Sequence, residues 1–400
     1  MSTILNKLNE KTSWEEFFKN RAETGHLSDK ELACLRDYID TQSYRHIAEG
    51  IIKGTYSFSL PLKKKISKGQ TSKKRIIYLY NENEVWILKH LAFLLHKYDS
   101  LYSDNCYSFR KSRNAKTAIQ RVLNIPGIDD MYCFKADIRD YFNSIPAERL
   151  CDKLSEFIKD DEPLVDFIRK ILCVNKSIDT ETGLIINENR GAMAGTPVSP
   201  FLANVYLNDV DKWFENEGII YFRYADDILL FCESEEKLNH YRDILIRMVN
   251  EEGLSINKDK EYLYTPEDAW EFLGIRYSKG IIDISDNTYR KIRAKIKRKA
   301  HSLYRWRRKK DVSFEKTAFV MIRCFNNKFY DIDETTDFSW SKWFFPLINT
   351  SERLKEIDSY LIRYIRYLYS GRHFKGNYKV RYSAIRELGF RSLVNEYYNR

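Results

Sequence analysis

Residues 219–232 read IIYFRYADDILLFC, and no other stretch of the 400-residue chain restricts its fold so sharply. Ile219, Ile220 and Phe222 precede, and Ile228 to Phe231 follow, a Tyr-Ala-Asp-Asp core that fits a tight turn between two apolar strands. Strands so apolar should be buried. Two adjacent carboxylates, Asp226 and Asp227, then emerge at a buried hairpin tip, which is costly without a compensating cation. A lone Asp-Asp pair in a hairpin is commonly a turn device, because Asp bonds its own backbone. The apolar flanks set this pair apart. A second acid, Asp137, ends another β-rich stretch, MYCFKADI at 131–138. If the two strands are neighbours in one sheet, Asp137 and Asp226 converge at its edge, and hard oxygen donors so placed suit Mg²⁺. A metal pair held there can activate a 3′-hydroxyl and stabilise a leaving pyrophosphate during in-line displacement.

The rest of the chain reads as helices layered on short strands. Ser13 with Glu16, and Ser28 with Glu31, fit capping boxes in a helical segment over 1–55. Residues 56–80 alternate like a strand pair around a basic, glycine-containing loop. NENEVWILKHLAFLLHKY has helical spacing, with Val85, Leu88, Ala92 and Leu95 on one face. Helices are expected after Pro146 and, as a single element, through FLANVYLNDVDKWFENE after Pro200. Another runs through KLNHYRDILIRMVNEEG and stops at Gly253. Short strands are expected at YLY and FLGIRY, and almost none beyond Asp286. The fold class is α+β, a sheet covered by helices on one side. With 15 Gly and 8 Pro and no internal repeat, long flexible linkers are not expected.

A net charge of +10 beside 14% aromatic residues favours a polyanionic partner. Charge alone does not separate nucleic acid from an anionic membrane surface. No run, however, approaches the roughly 20 apolar residues of a bilayer span. The N-terminal MSTILNKLNEKTSWEEF carries charges inside its apolar stretch, unlike a signal peptide. Seven cysteines without a CxxC pair give neither a zinc site nor a disulfide framework. Reduced thiols in a cytoplasmic protein are the expectation.

Taken in order, the motifs resemble those of reverse transcriptases. YADD between hydrophobic strands is similar to the family's signature box, FKADIRDYFNSIP to its first catalytic motif, and GTPVSPFLANVYLNDVD to its substrate loop and palm helix. EEGLSINKDKEYLY and EFLGIRY resemble the two motifs that follow. SKKRIIYLYNENEVWILKHL and DNCYSFRKSRNAKTAI resemble the fingers region, so the resemblance covers residues 55–285. It implies a right-hand polymerase with a helical N-terminal extension over 1–55 and fingers over 56–130. An RRM-like palm, an antiparallel sheet plus helices, would span 131–285 with a fingers insertion near 160–195. A basic thumb helix over 286–312 and a helical thumb or C-terminal extension over 313–400 would complete it. The implied activity is RNA-directed DNA synthesis, with an RNA template, a DNA primer, dNTPs and two Mg²⁺ ions, Mn²⁺ being a workable substitute.

Carried over residue by residue, Asp137, Asp226 and Asp227 become the metal-site acids, and the carbonyl of Ile138 a further ligand. Phe142 matches the steric gate, a ring that would clash with a ribose 2′-hydroxyl. A core aromatic beside Tyr141 is the alternative reading. Lys74 and Arg75 match the fingers residues that hold the incoming triphosphate, and Gly195 belongs to the substrate loop. Lys260 matches a proton donor to pyrophosphate, with Lys258 near enough to blur the choice. Phe272, Leu273 and Gly274 match the primer-grip turn. One departure is Ala194-Gly195, where related bacterial enzymes carry Gln-Gly, which puts fidelity and contacts to the nascent base pair in question.

Between Arg290 and Lys310, twelve residues are Lys or Arg and none is acidic. Such a run is usually a solvated face. Directly after the primer-grip motif it resembles the thumb helix that tracks template–primer phosphates, here through Arg293, Lys297 and Arg298. Arg110 and Arg113 are template contacts or part of a surface loop. The tail has no HNH-like, Cys-rich or RNase H cluster, and no Val-Thr-Gly of the retron type. SWSKWFFPL and IRELGFRSLVNEYY resemble bacterial defence-associated enzymes of the "unknown group" lineage, which implies a co-encoded structured noncoding RNA and a role in antiphage defence. The alternatives are a group II intron-like or retron-type enzyme without that role, an RNA-directed RNA polymerase, and a catalytically silent RNA-binding protein. Phe142 and Ala225 speak against the RNA polymerase, and the intact acids against the silent protein.

Overall fold

The computed structural model describes residues 3–24, 27–67, 74–174, 176–188, 191–330 and 339–399. The basic loop expected between the first two strands falls at 68–73, outside the described residues. In chain order the strands are β1 (Leu62–Ser67), β2 (Lys74–Leu79), β3 (Tyr132–Asp137), β4 (Lys176–Asp179), β5 (Ile185–Asn187) and β6 (Ile220–Tyr224). They continue with β7 (Asp227–Cys232), β8 (Tyr262–Tyr264), β9 (Trp270–Phe272), β10 (Ile275–Ser278) and β11 (Ile281–Ile284). The chain divides into two compact units, Met1–Ala118 with Asp130–Thr265, and Ile119–Asp129 with Pro266–Arg400.

The first unit holds two four-stranded sheets, ordered β2-β1-β4-β5 and β6-β7-β3-β8. β7 lies between β6 and β3, antiparallel to both, with helices Asn208–Asn216 and Glu235–Glu251 packed onto this sheet. That central place explains the unbroken apolar run, because Ile228, Leu229, Leu230 and Phe231 are all buried. Each such side chain contributes about 1.5–3 kcal/mol on burial. The outer edge of β6 is bridged at Arg223 by the loop around Cys106. The Arg223 N–H donates to the Asn105 carbonyl and the Tyr107 N–H to the Arg223 carbonyl, both at 2.9 Å. The edge at Arg223 is thereby not open to another chain.

Local expectations met different fates. Ser28 and Glu31 form the expected capping box. Ser13 does not, because its helix begins earlier, at Lys11, and the Ser13 hydroxyl instead bonds His90 Nε2 at 2.9 Å. Burial pushes that imidazole down to about 3, so the bond is made by a neutral ring. The helix Glu82–Leu95 buries more than the expected stripe. Trp86, Ile87, His90 and Leu91 join Leu88 and Leu95, while Val85 and Ala92 stay half-buried. The single helix expected after Pro200 is two, Ser199–Tyr206 and Asn208–Asn216, parted at Leu207. Asn208, just past the break, is buried and accepts from the Ser103 N–H at 2.9 Å.

The second unit pairs the antiparallel sheet β11-β10-β9 with helices that include Asp286–Lys310, Phe314–Tyr330 and Glu352–Ser370. Residues 266–285 thus cluster with the helical region that follows them. The basic helix Asp286–Lys310 buries only Ile292, Ile296, Ala300 and Leu303, against the other two long helices. One narrow stripe anchors it, which leaves the rest of its surface to Lys and Arg. No described helix is long and apolar enough to cross a membrane. All seven cysteines are free thiols.

Candidate active site

Tyr224 pairs with Asp227 across β6 and β7, so Ala225 and Asp226 form a two-residue turn. Ala225 has φ 56°, a left-handed conformation usually given to Gly, at a cost of roughly 1–2 kcal/mol. Two bonds hold the turn in that shape. The Ile138 N–H donates to the Asp226 carbonyl at 3.0 Å, and Arg223 Nη1 to the Ala225 carbonyl at 3.3 Å. On the other side of β7, β3 is registered so that Asp137 faces Asp227. Asp137, Asp226 and Asp227 therefore share one end of the central sheet, as the strand pattern anticipated.

The charges there are unbalanced. Burial, then the carboxylates of Asp227 and Asp137, push Asp226 up to about 6, against a smaller pull from Lys260. Asp137 is nearly inaccessible and accepts from Lys260 Nζ at 2.6 Å and Asn257 Nδ2 at 3.3 Å. Burial works to lower the Lys260 ammonium, but its bond to Asp137 and the field of the three acids carry it above the usual lysine value. One lysine against three carboxylates leaves a net negative, all-oxygen site, which fits a hard divalent cation. The side chains are less gathered than expected. Among the described residues no group of three His, Cys, Asp or Glu stands as a ready metal cluster. Like charges repel, and Asp137 is held by Lys260.

Around this end of the sheet lie four rings. Tyr141 is the core aromatic of the Tyr141-Phe142 pair, buried and donating to the Ala203 carbonyl. Phe142 is half-buried and meets Phe109 edge-on, ring centres 6.1 Å apart. Phe109 in turn lies 6.2 Å from Tyr224. Gly195 touches β2: a Cβ there would sit 3.1 Å from Ile77 Cβ and 3.2 Å from the Tyr78 carbonyl, at a φ of 100° that side chains avoid. The Tyr78 N–H donates to the Ala194 carbonyl at 2.8 Å, so the Ala194-Gly195 segment runs against the strand that begins with Lys74 and Arg75. Lys74 and Arg75 are both exposed, and Lys74 lies 3.6 Å from Glu181.

Arg110 and Arg113, given as template contacts or part of a surface loop, are both bonded within their loop. Arg110 donates to the carbonyls of Asp99, Ser103 and Cys106, and so staples a loop. Arg113 is paired with Asp104 at 2.5 Å and lies over the Tyr107 ring. A short loop with many free carbonyls consumes guanidinium donors before any ligand can.

In the second unit, Phe272 is buried, and Leu273 and Gly274 at φ 47° and 90° form the two-residue turn between β9 and β10. A Cβ at Gly274 would meet Thr288 Oγ1 at 3.2 Å. Replacing Gly274 with Ala is expected to cost about 1–2 kcal/mol in urea unfolding, from left-handed strain and crowding together. Lys297 and Arg298 are exposed on the basic helix. Arg293 is instead held between the rings of Tyr289 and Tyr360, at 5.1 and 4.4 Å.

Sequence reading missed the residues that support the hairpin. Asp211 and Arg223 are fully buried and paired, with Arg223 Nε 2.8 Å from Asp211 Oδ1, and Tyr221 donates to the same oxygen at 3.0 Å. Phe109 and Asn257 were also passed over. An aromatic just before RKSR, and an Asn just before the Lys258–Lys260 pair, were the available signals.

The retron Ec86 reverse transcriptase of Escherichia coli is 28% identical over 183 residues, 44% of this chain and 52% of that protein. The retron Mx65 reverse transcriptase of Myxococcus xanthus is 24% identical over 208 residues, 50% of this chain and 47% of that one. The chain thus spans about half the length of these two relatives. A solved apo telomerase from Candida tropicalis, truncated from the C-terminal domain, aligns with a TM-score of 0.46 at 12% identity, over 57% of this chain and 55% of that one. The family model described as reverse transcriptase (RNA-dependent DNA polymerase) matches residues 63–277, more than half of the chain, which therefore belongs to the reverse transcriptase family.

Proposed function

We propose that the chain is an RNA-directed DNA polymerase whose catalytic acids are Asp137, Asp226 and Asp227. The observation that carries this reading is the register of β3 on β7, which sets Asp137 opposite Asp227 with Asp226 in the adjoining turn. The three acids and the carbonyl of Ile138 would hold Mg²⁺ or Mn²⁺. When bound, two such ions would acidify a primer 3′-hydroxyl and offset charge on the leaving pyrophosphate. Lys260, charged at neutral pH, is the proton donor to that pyrophosphate. Arg75 holds triphosphate oxygens, with Lys74 and Gly195 beside it, and the Leu273–Gly274 turn meets the primer end. Extension of a DNA primer on an RNA template with dNTPs tests this directly, and no extension by folded protein would refute it.

Phe142 acts as the sugar gate, a reading supported by its half-exposed ring while Tyr141 fills the core. Phe142→Val is expected to raise the kcat/KM for rNTP relative to dNTP by about 10- to 200-fold, the range for a shape-selected group. An unmoved ratio would make Phe142 a packing residue. The basic helix serves as the thumb, with Lys297 and Arg298 on duplex phosphates. Neutralising both should flatten the log–log salt slope of RNA–DNA binding by up to about 1.8, whatever the sequence. A slope that does not change would remove them from the interface.

The fingers, palm and thumb boundaries given above, a co-encoded noncoding RNA as template and a role in antiphage defence belong to the same proposal. The boundaries rest on the ordered motifs over 55–285 and the basic helix after them, the RNA and the defence role on the resemblance of the tail. The two retron relatives favour a second reading, a retron-type enzyme. Sequencing the RNA and DNA that co-purify with the protein, together with the neighbouring genes, separates the two.

A further inference from the structure

We propose that the loop following helix Glu352–Ser370 is a separate binding surface for unpaired nucleotides, with Phe374 and Tyr378 as stacking rings. This does not depend on the catalytic reading, since the loop lies outside the family match at 63–277. Phe374 and Tyr378 are 55% and 66% exposed, and Tyr382 beyond them 40%. Large rings left open so close together mark a contact surface rather than a core. Charge identifies the partner. From Ser359 to Arg386 the chain carries seven Lys or Arg residues and no acid, with Arg372, Lys375 and Lys379 exposed among the rings. An apolar protein surface has no use for such a density of cations, whereas a single strand offers phosphates to the cations and free base faces to the open rings together.

The loop is also built to hold its rings still. Gly371 closes the helix in a left-handed conformation, φ 75°, and its N–H donates to the Tyr367 carbonyl at 2.7 Å. Asn377 is buried beneath the loop, bonded to Ser370 Oγ at 2.7 Å and to the Arg372 carbonyl at 2.6 Å. Arg366 donates to the Val380 carbonyl at 3.0 Å and stacks 4.6 Å from the centre of the Tyr378 ring. The Phe374 ring lies against Gly376 so closely that a Cβ there would be 2.3 Å from it. Rings fixed in advance lose little conformational freedom when a base lands on them. A duplex, whose bases are already stacked, has no equivalent face to offer.

The test is fluorescence anisotropy at fixed salt with short labelled oligouridylate, oligothymidylate and an RNA duplex. The proteins are the full wild-type chain and the doubly substituted Phe374→Ala/Tyr378→Ala and Phe374→Leu/Tyr378→Leu variants. Both variants should bind oligouridylate or oligothymidylate at least about tenfold more weakly, while duplex affinity moves by less than about twofold. The two single strands decide between RNA and DNA as the source of the bases. Thiouridine in the oligouridylate should crosslink to residue 374 or 378 of the wild-type chain. Unchanged single-strand affinity, equal loss on the duplex, or Leu variants that bind like wild type would each overturn the proposal. The last result would mark an apolar protein contact instead. Extension of a preformed primer–template by the same variants reads the catalytic proposal separately and should not change.

Discussion

Replacing Arg223 with Met is expected to destabilise the first unit by roughly 3–5 kcal/mol, a large share of the roughly 5–15 kcal/mol that holds a typical domain folded. Arg223 is completely buried and its guanidinium is spent on Asp211 and the Ala225 carbonyl. Without it, Asp211 is left as a buried charge with Tyr221 for company, and desolvation of that carboxylate is no longer offset. The loss comes from stranding the partner, not from the intrinsic worth of the pair. It follows that Arg223→Met combined with Asp211→Leu should recover much of the stability, in a non-additive way. Urea unfolding of the two single variants and the double variant measures this coupling. Additive losses would mean that the pair is incidental to the hairpin.

That pair shows where sequence reading stops. The apolar strands, the acidic tip and Asp137 were legible because each is encoded locally, by alternation, by a turn and by a charge where burial is expected. In FRYADD, however, nothing local announces that Arg223 is buried or that Asp211 meets it from another element. Ser13 failed in the same way: its spacing to Glu16 was right for a capping box, but the hydroxyl was claimed by His90 from a distant helix. For Arg110 and Arg113 the local pattern left open a template contact or a place in a surface loop, and the bonds to that loop's own carbonyls and to Asp104 come from outside the pattern. The break at Leu207 is followed by Asn208 and Asp209, weak helix formers whose signal is hidden by the apolar spacing that runs on through the segment. Pairings made over long sequence distances are what the local pattern does not carry.

The second large effect is expected at Asp226. Unfolded, this carboxyl titrates in the ordinary range, whereas folded it titrates at about 6, so the folded state holds the proton more tightly. Stability of the metal-free protein should therefore fall as pH rises from about 4 to about 6, and the loss should be complete above that. Asp226→Asn keeps the shape and removes the charge. In chelator at neutral pH the variant should be more stable than wild type by on the order of 1–3 kcal/mol. Below pH 4 the difference should vanish, because both side chains are then neutral. A site that weakens its own fold in this way is what a cation-dependent function would require.

Single-nucleotide extension of a DNA primer on an RNA template, in Mg²⁺, tests the central claim most directly when wild type and Asp226→Asn are compared at equal folded concentration. The account predicts extension by wild type, and a rate at least about 10³-fold lower for the variant, because a ligand to the transition-state charge is gone. The variant's melting temperature in chelator should equal or exceed that of wild type. Extension by Asp226→Asn within about threefold of wild type, a difference worth well under 1 kcal/mol, would contradict the assignment of these carboxylates.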